Sequence, residues 1–482
     1  MERTRYEADV VVVGAGTAGL ACSISAADNC ARVVTVEKTE HVGGTMHVAG
    51  GHVSAAGTRL QRECGIDDSP DEHFEEVMRI GDGAADPDLV RLAVDEAPRT
   101  VDWLDDLGFP FAPNVPTRPP EHESYSVPRT YWGEDGGRSI IRTIRPLWDR
   151  HANAGRIRAL VRHECTDLVV EDGTVRGIHA EGPEEPVEVR APATVLTTGG
   201  YGSNPDFFAE VTPDSPPLVS NARESSTGDG IRIALRYGAE FRGAEEYMPI
   251  VGGIETEAGS GRTDVRERWA RVVISEDRDP HEIYVNADGE RFIAEDTPNP
   301  SEHQRALKEQ PGYKFWIVFD ETGLEAGHPP VIKGYDRDGI RELAEESGVA
   351  WIGDDPEELA ERAGIDPDGL GDTISRFNEA VRSGEDPLGR DHLPDPIETP
   401  PFYAVLTHGT TLGTHGGIAV DEDLRVLNED GEPIPRLYAA GEALGATATS
   451  GHDFASGMLL TPALSFGRIL GRRLAPGCRL GS

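Results

Sequence analysis

Lysine is nearly absent from this sequence. Lys38, Lys308, Lys314 and Lys333 are four of 46 basic residues, which face 86 acidic ones, for a net charge of −40 over 482 residues. A surface that negative repels phosphodiester backbones and anionic lipid, which argues against nucleic acid and membranes as partners. The preference for Arg fits either a GC-rich genome or a salt-adapted cytoplasm, and both readings stay open. Cysteine is scarce as well. Cys22, Cys30, Cys64, Cys165 and Cys478 form no CxxC pair, no haem-attachment motif and no iron–sulfur spacing. An odd number without a framework predicts reduced thiols. No apolar run reaches the ~18–20 residues that span a bilayer. Met1–Ala8 contains Glu2 and Glu7 and leads straight into a strand, unlike a secretory leader. The expectation is a cytoplasmic protein without a bound metal. Acidic runs such as Asp354–Glu358 (DDPEE) are expected as solvated helix starts, since no His or Cys joins them at ligand spacing.

Glycine and proline are plentiful, at 56 and 35 residues, and suit a loop-rich α/β protein of two or three domains. Most of the information lies at the N-terminus. Asp9–Val13 is a β-branched apolar run, short enough for a strand buried on both faces. Gly14-Ala15-Gly16-Thr17-Ala18-Gly19 follows, then an Ala-rich helix pattern from Leu20 to about Asn29, then a second strand, Arg32–Glu37, ending in an acid. Strand, GxGxxG, helix, strand and acid make up a dinucleotide-binding fingerprint. Gly14 makes the tight turn, Gly16 lets backbone approach a pyrophosphate, and Gly19 lets helix pack on strand. The N–H groups at the helix start, at Thr17 and Ala18, and its dipole favour phosphate. Glu37, next to Lys38, is placed to accept from ribose hydroxyls, and its charge disfavours a 2′-phosphate.

Three later segments favour FAD over NAD. Gly43-Gly44-Thr45 and Gly50-Gly51 form a diglycine loop suited to crossing a pyrophosphate, ribityl chain and flavin. Thr194–Tyr201 is a strand ending in Thr198-Gly199-Gly200. Leu437–Glu442 is another short strand, closing on Gly441 and Glu442. After it, the run from Ser456 through Met458 and Leu459 opens a helix expected from Gly457 to Arg472, with its N-terminus toward the flavin pyrimidine. With these segments stand Thr227-Gly228-Asp229-Gly230, Ile283–Phe292 (IYVNADGERF) and Thr411–Val420 (TLGTHGGIAV).

In this order the motifs resemble the flavoproteins of the fumarate reductase and succinate dehydrogenase superfamily. That group includes soluble fumarate reductases, urocanate reductase, tricarballylate dehydrogenase and 3-ketosteroid dehydrogenases. The resemblance covers nearly the whole chain. It implies an α/β, Rossmann-like, discontinuous FAD-binding domain (1–245 and 409–482) with an inserted α+β capping domain (246–408). Substrate would bind where the cap meets the flavin. It also implies hydride transfer between flavin and one carbon of a C–C bond beside a carbonyl or carboxylate, with a proton moving at the neighbouring carbon.

Several family positions are changed. The proton-donating Arg of soluble fumarate reductases falls at Asn299, after Pro298, which matches the Pro before the Tyr of ketosteroid dehydrogenases. A carboxylate-binding His falls at Gly413, as in the ketosteroid branch, and a carboxylate-binding Arg falls at Phe454. The His-Pro-Thr segment becomes Met248-Pro249-Ile250, and the C-terminal Tyr of ketosteroid dehydrogenases falls at Asp453. The dicarboxylate clamp is therefore missing. The remaining catalytic candidates are His452 and Asp453, with helix capping by one of them as the alternative; His415 and Tyr247, with structural roles as the alternative; and Asn299, as a hydrogen-bond donor. The proline-rich stretch Phe109–Arg138, with Tyr125, Tyr131 and Trp132, is expected to wall the pocket and to favour a ring or acyl chain, unless it packs only on itself. Arg129 and Arg138 are candidate carboxylate contacts.

The leading expectation is an enzyme with non-covalent FAD that dehydrogenates or reduces a C–C bond next to a carbonyl in a small, cyclic or otherwise non-dicarboxylate substrate, exchanging electrons with an external acceptor or donor. Two alternatives stay open. One is a fumarate reductase-like reductase of an unsaturated organic acid. The other is a flavoprotein electron-transfer subunit without its own catalysis.

Overall fold

The computed structural model describes residues 3–119, 122–263, 278–332 and 335–476. Pro120 of the proline-rich stretch, Lys333 and Cys478 lie outside them. Val10–Val13 is buried on both faces because it is the middle of a parallel sheet. It runs in register with Val33–Glu37 on one side and Thr194–Leu196 on the other. The sheet extends to Ile157–Val161 at one edge and to Pro433–Ala439 and Arg425–Leu427 at the other, the last pair antiparallel. Residues from both ends of the chain thus share one sheet. A second, four-stranded sheet pairs Thr4–Glu7, Val187–Arg190, Thr174–Glu181 and Glu164–Glu171.

The Ala-rich helix spans Thr17–Asp28 and is buried over most of its length. It packs on the last helix, Leu460–Leu474, with almost no side chain between the two backbones. A Cβ at Gly467 would stand 2.3 Å from the Ala18 carbonyl oxygen, and one at Gly471 would stand 2.5 Å from that of Cys22. Ser25 Oγ donates to the Arg468 carbonyl at 2.9 Å across the same contact. The last helix starts three residues later than expected. Gly457 instead makes a turn at φ +77°, where an added Cβ would lie 2.4 Å from the Ser54 amide.

One hydrophobic core draws on residues 8–247 and 418–470, and two further clusters draw on 251–405. The inserted stretch is built on an antiparallel pair, Lys314–Asp320 with Phe402–Thr410, joined by Ile250–Gly253, Ile283–Val285 and Ala350–Gly353. Below that sheet Glu295 and Arg390 are both fully buried and paired at 3.0 Å. Arg291 bridges Glu295 to Asp386. A buried charge without its partner is strongly destabilising, so this network ties the loops 286–300 and 384–392 to one arrangement. The fold is mixed α/β, as expected.

Two details concern the absences noted above. Asp355, from the acidic run, caps helix Pro356–Ala363 by accepting from the Glu358 amide at 2.9 Å. Cys22, Cys64 and Cys165 are free thiols, whereas Cys30 is disulfide-bonded, so the expectation of reduced thiols fails at Cys30.

The two-glycine contact makes a testable contrast. Gly467→Ala pushes a methyl into backbone and is expected to lower stability by about 1–3 kcal/mol. Gly371→Ala, inside helix Pro367–Ser383 with nothing within 4 Å of the added Cβ, is expected to raise it by about 0.5–1 kcal/mol. Denaturant midpoints of the two variants should move in opposite directions, and a shift in the same direction would contradict the packing described.

Candidate active site

A cleft runs along the carboxyl ends of the parallel strands, the place where open α/β sheets take ligands. Its cavity volume is about 300 Å³, at the lower end of the roughly 300–1,000 Å³ of a small-ligand pocket. Its floor is the N-terminal turn. Gly14 has φ +99° and an added Cβ there would meet the Thr197 carbonyl oxygen at 2.4 Å; at Gly19 one would meet the Gly14 carbonyl oxygen at 1.9 Å. These two glycines are required by the protein's own packing. Gly16 differs: its backbone is extended, and the nearest atom to an added Cβ is the Gly44 Cα at 3.9 Å. The space in front of Gly16 is open to a ligand.

Of the sequence-derived cofactor residues, Gly14, Gly16, Thr17, Ala18, Glu37, Lys38, Gly44, Thr45, Gly50, Gly51, Thr198, Gly199, Asp229, Gly441, Glu442 and Leu459 line this cleft. Glu37 is fixed at the strand end. Its Oε2 accepts from the Ala15 amide at 2.8 Å, and its Oε1 accepts from the Thr39 amide and hydroxyl at 2.9 and 2.8 Å. Lys38 Nζ donates to Asp229 and Thr227, each at 2.5 Å. Glu442 accepts from the Thr414 amide and hydroxyl, and burial raises its pKa above the usual carboxylate range. Gly19, Gly43, Gly200, Ser456 and Met458 are not in the lining. Gly200 is instead packed against Glu442 and Thr414. Ser456 Oγ accepts from the Thr130 hydroxyl, and Met458 is fully buried.

None of the five catalytic candidates lines the cleft: His452 and Asp453 directly precede the lining residue Phe454, His415 packs on Phe454, Tyr247 packs on His415, and Asn299 opens the helix that carries Arg305. Neither His452 nor Asp453 caps a helix, because the last helix begins only at Leu460. His452 Nδ1 pairs with Glu246 Oε2 at 2.9 Å. Asp453 is fully buried and pairs with Arg305 of helix Pro300–Lys308, while its Oδ1 has no partner. Burial raises the Asp453 pKa, and Arg305 opposes that rise. His415 is buried with its ring edge-on to Phe454 and Tyr247, at 4.9 and 5.6 Å. Its ring nitrogens lack partners, and burial brings its pKa down to about 3, so it stays neutral. Tyr247 is buried and its hydroxyl bonds Thr411 Oγ1 at 2.7 Å. Asn299 caps helix Pro300–Lys308 by accepting from the Ser301 amide at 3.0 Å. Its Oδ1 is thus taken up as a cap acceptor.

The proline-rich stretch divides. His122 reaches the cleft, with its ring 6.0 Å from Phe454, and Trp132 lies against His52, another lining residue. Tyr125 and Tyr131 are core residues, with Tyr125 donating to the Ser456 carbonyl at 2.8 Å. Arg129 is fully buried and bound by Asp68 at 2.8 Å and Glu76 at 2.7 Å. Arg138 is exposed and donates to the His47 carbonyl. Neither arginine lines the cleft, so the expected carboxylate contacts are not supplied there. The sequence reading missed Arg305 and Arg223. Arg305 has no motif around it, and only the fold brings it to Asp453. Arg223 precedes the TGDG turn and donates from Nη1 to the Gly44 carbonyl at 2.5 Å.

Residues 9–456 match the FAD binding domain family. The chain is 30% identical to a probable fumarate reductase of Shewanella frigidimarina, over 97% of this chain and 74% of the relative. It is 27% identical to a 3-oxosteroid 1-dehydrogenase of Mycolicibacterium smegmatis, over 96% of each. The solved open conformation of a flavocytochrome c3 fumarate reductase superposes with a TM-score of 0.76 at 28% identity, over 97% of this chain and 78% of that one. The open space before Gly16 and the acid ending the second strand fit the dinucleotide these comparisons imply. No helix among the described residues is long and apolar enough to cross a membrane. The chain belongs to the FAD-binding family of fumarate reductases and 3-oxosteroid dehydrogenases, and is an FAD-dependent oxidoreductase acting on C–C bonds.

Proposed function

We propose that this enzyme dehydrogenates or reduces a C–C bond next to a carbonyl in a small cyclic or otherwise non-dicarboxylate substrate, and that it exchanges electrons with a carrier outside this chain. One observation carries the reading. Lys38 and Arg223 are the Lys and Arg residues among the described lining, and both stand at the dinucleotide end. The opposite end presents Leu412, Gly413, Phe454 and His122, and the neighbouring Arg305 is paired with Asp453. A dicarboxylate there would lose its hydration without gaining paired cations, whereas a ketone or ring needs only apolar walls and a donor.

In this reading residues 246–408 act as the cap. FAD, when bound, supplies the hydride chemistry, and the protein must move one proton at the carbon beside the carbonyl. Asp453 is the group we assign to it. It is fully buried and does not itself line the cleft, but it directly precedes the lining residue Phe454; its Oδ1 has no partner, burial raises its basicity, and Arg305 limits that rise while fixing the carboxylate. His415 is too weak a base to share this role. We take the flavin to be held without a covalent bond: His47 Nε2 is hydrogen-bonded to the Val42 carbonyl, and burial pushes the Cys165 thiol in the lining up to about 12.

Four outcomes test this. Acid precipitation should release all the flavin into the supernatant, and flavin left on the pellet would refute the non-covalent assignment. Gly16→Ala should fold, because its Cβ meets only open space, yet lower FAD affinity at least tenfold, about 1.4 kcal/mol; unchanged FAD binding would show that nothing approaches Gly16. After anaerobic reduction with dithionite, flavin absorbance should return on adding a cyclic enone such as a 3-ketosteroid, and not on adding fumarate or urocanate. Reoxidation by fumarate alone would overturn the substrate reading. With the active enone, where a proton is delivered to the substrate, Asp453→Asn should retain the flavin spectrum and lose the alkaline limb of the rate profile. That limb should lie above the ordinary Asp range, because the raised pKa keeps the carboxyl protonated to higher pH.

A further inference from the structure

We infer that Leu412 determines specificity at the mouth of the substrate end, as the apolar surface on which the part of the substrate beyond its reacting ring comes to lie. The inference rests on the carbonyl reading above and deepens it. Four large apolar side chains among the described residues are more than a third exposed: Val161, Val170, Leu388 and Leu412. Single exposed apolar residues are ordinary on a protein surface. Leu412, 40% exposed, is the one of the four that lines the cleft.

The backbone holds it there. Before it, the Thr411 amide donates to the Val219 carbonyl at 2.9 Å, and the Thr411 carbonyl accepts from the Asn221 amide at 3.3 Å. The hydroxyls of Thr411 and Tyr247, both buried, are bonded at 2.7 Å. After it, the amide and hydroxyl of buried Thr414 donate to Glu442 Oε1 at 3.0 and 3.3 Å. Leu412 and Gly413 are thus a two-residue span between fixed ends, too short to carry the leucine into the core. A Cβ on Gly413 would stand 3.3 Å from Leu459 Cδ1, so the space on that side is already filled. Phe454 and His122 line the same end of the cleft. Apolar surface left in water inside a ligand cleft is free energy open to whatever covers it. A substrate that gains from Leu412 must carry apolar surface past the ring that holds its carbonyl, such as a second fused ring or an alkyl chain. A carboxylate set against the same leucine would lose hydration with nothing in return.

The test compares two enones of different size, 2-cyclohexenone and a 3-ketosteroid, as oxidants of the dithionite-reduced, FAD-loaded full chain. Stopped-flow absorbance gives the second-order rate constant of reoxidation for each. Wild type should favour the larger enone. Leu412→Asn should lower the rate constant for the 3-ketosteroid about fivefold or more, with the loss in the half-saturating concentration and not in the limiting rate. For 2-cyclohexenone, which does not reach the mouth, the loss should stay below about twofold. Leu412→Met restores apolar surface and should recover most of the loss. The FAD Kd should be the same in all three chains. An equal loss on both enones, a loss on neither, or a loss that follows weakened FAD binding would overturn the inference, and so would a wild type that takes 2-cyclohexenone as readily as the steroid. A wild type that neither enone reoxidises would instead overturn the carbonyl reading, and the role of Leu412 would fall with it.

Discussion

The contact that the rest of the structure depends on is the one between helices Thr17–Asp28 and Leu460–Leu474, where Gly467 and Gly471 let two backbones touch. It holds the end of the chain against its beginning. The glycine turn after Val10–Val13 and the 441–459 segment before the last helix become opposite walls of one cleft as a result. Main-chain pairing of Thr194–Leu196 with both Val10–Val13 and Pro433–Ala439 does the same work in the sheet. The helix contact admits no side chain at Gly467 or Gly471, and the parallel ladder holds Thr194–Leu196 opposite Val11–Val13.

Residues 251–405 fold around clusters of their own, so the second wall of the substrate end is not part of the same packing problem. Near the cleft the ion pair of Asp453 with Arg305 joins the two parts, while His452–Glu246 and Tyr247–Thr411 lie outside residues 251–405. Polar junctions of this kind hold a geometry at modest energetic cost and open more readily than apolar cores.

The dinucleotide half was legible in the sequence because its requirements are main-chain requirements. Gly14 and Gly19 are where a Cβ would strike backbone, Gly16 is where it would face the open cleft, and Glu37 stands at a strand end; each leaves a residue type at a fixed spacing. The substrate half leaves no such trace. Asn299 shares its position with a family acid, yet it caps a helix. Arg129, offered as a carboxylate contact, is buried against Asp68 and Glu76. Tyr125 and Tyr131 belong to the core. In each case the side chain's direction is set by long-range packing, which local spacing does not encode. Arg305 and Arg223 escaped notice for the converse reason: they are ordinary residues locally, and only the fold gives them partners.

Charge economy links the two halves. In a chain this acidic nearly every arginine beside the cleft already faces a carboxylate, so a cation near the site acts by its arrangement and not by being in excess. Arg305 illustrates the consequence. Its guanidinium lowers the pKa that burial raises at Asp453, and it reaches that carboxylate from the inserted stretch. Any movement of helix Pro300–Lys308 away from the 450–457 loop would remove the cation while Asp453 stayed on the loop. The basicity of Asp453 is therefore coupled to the approach of that helix, and in the role proposed for it the carboxyl would reach its working range only when the two are together.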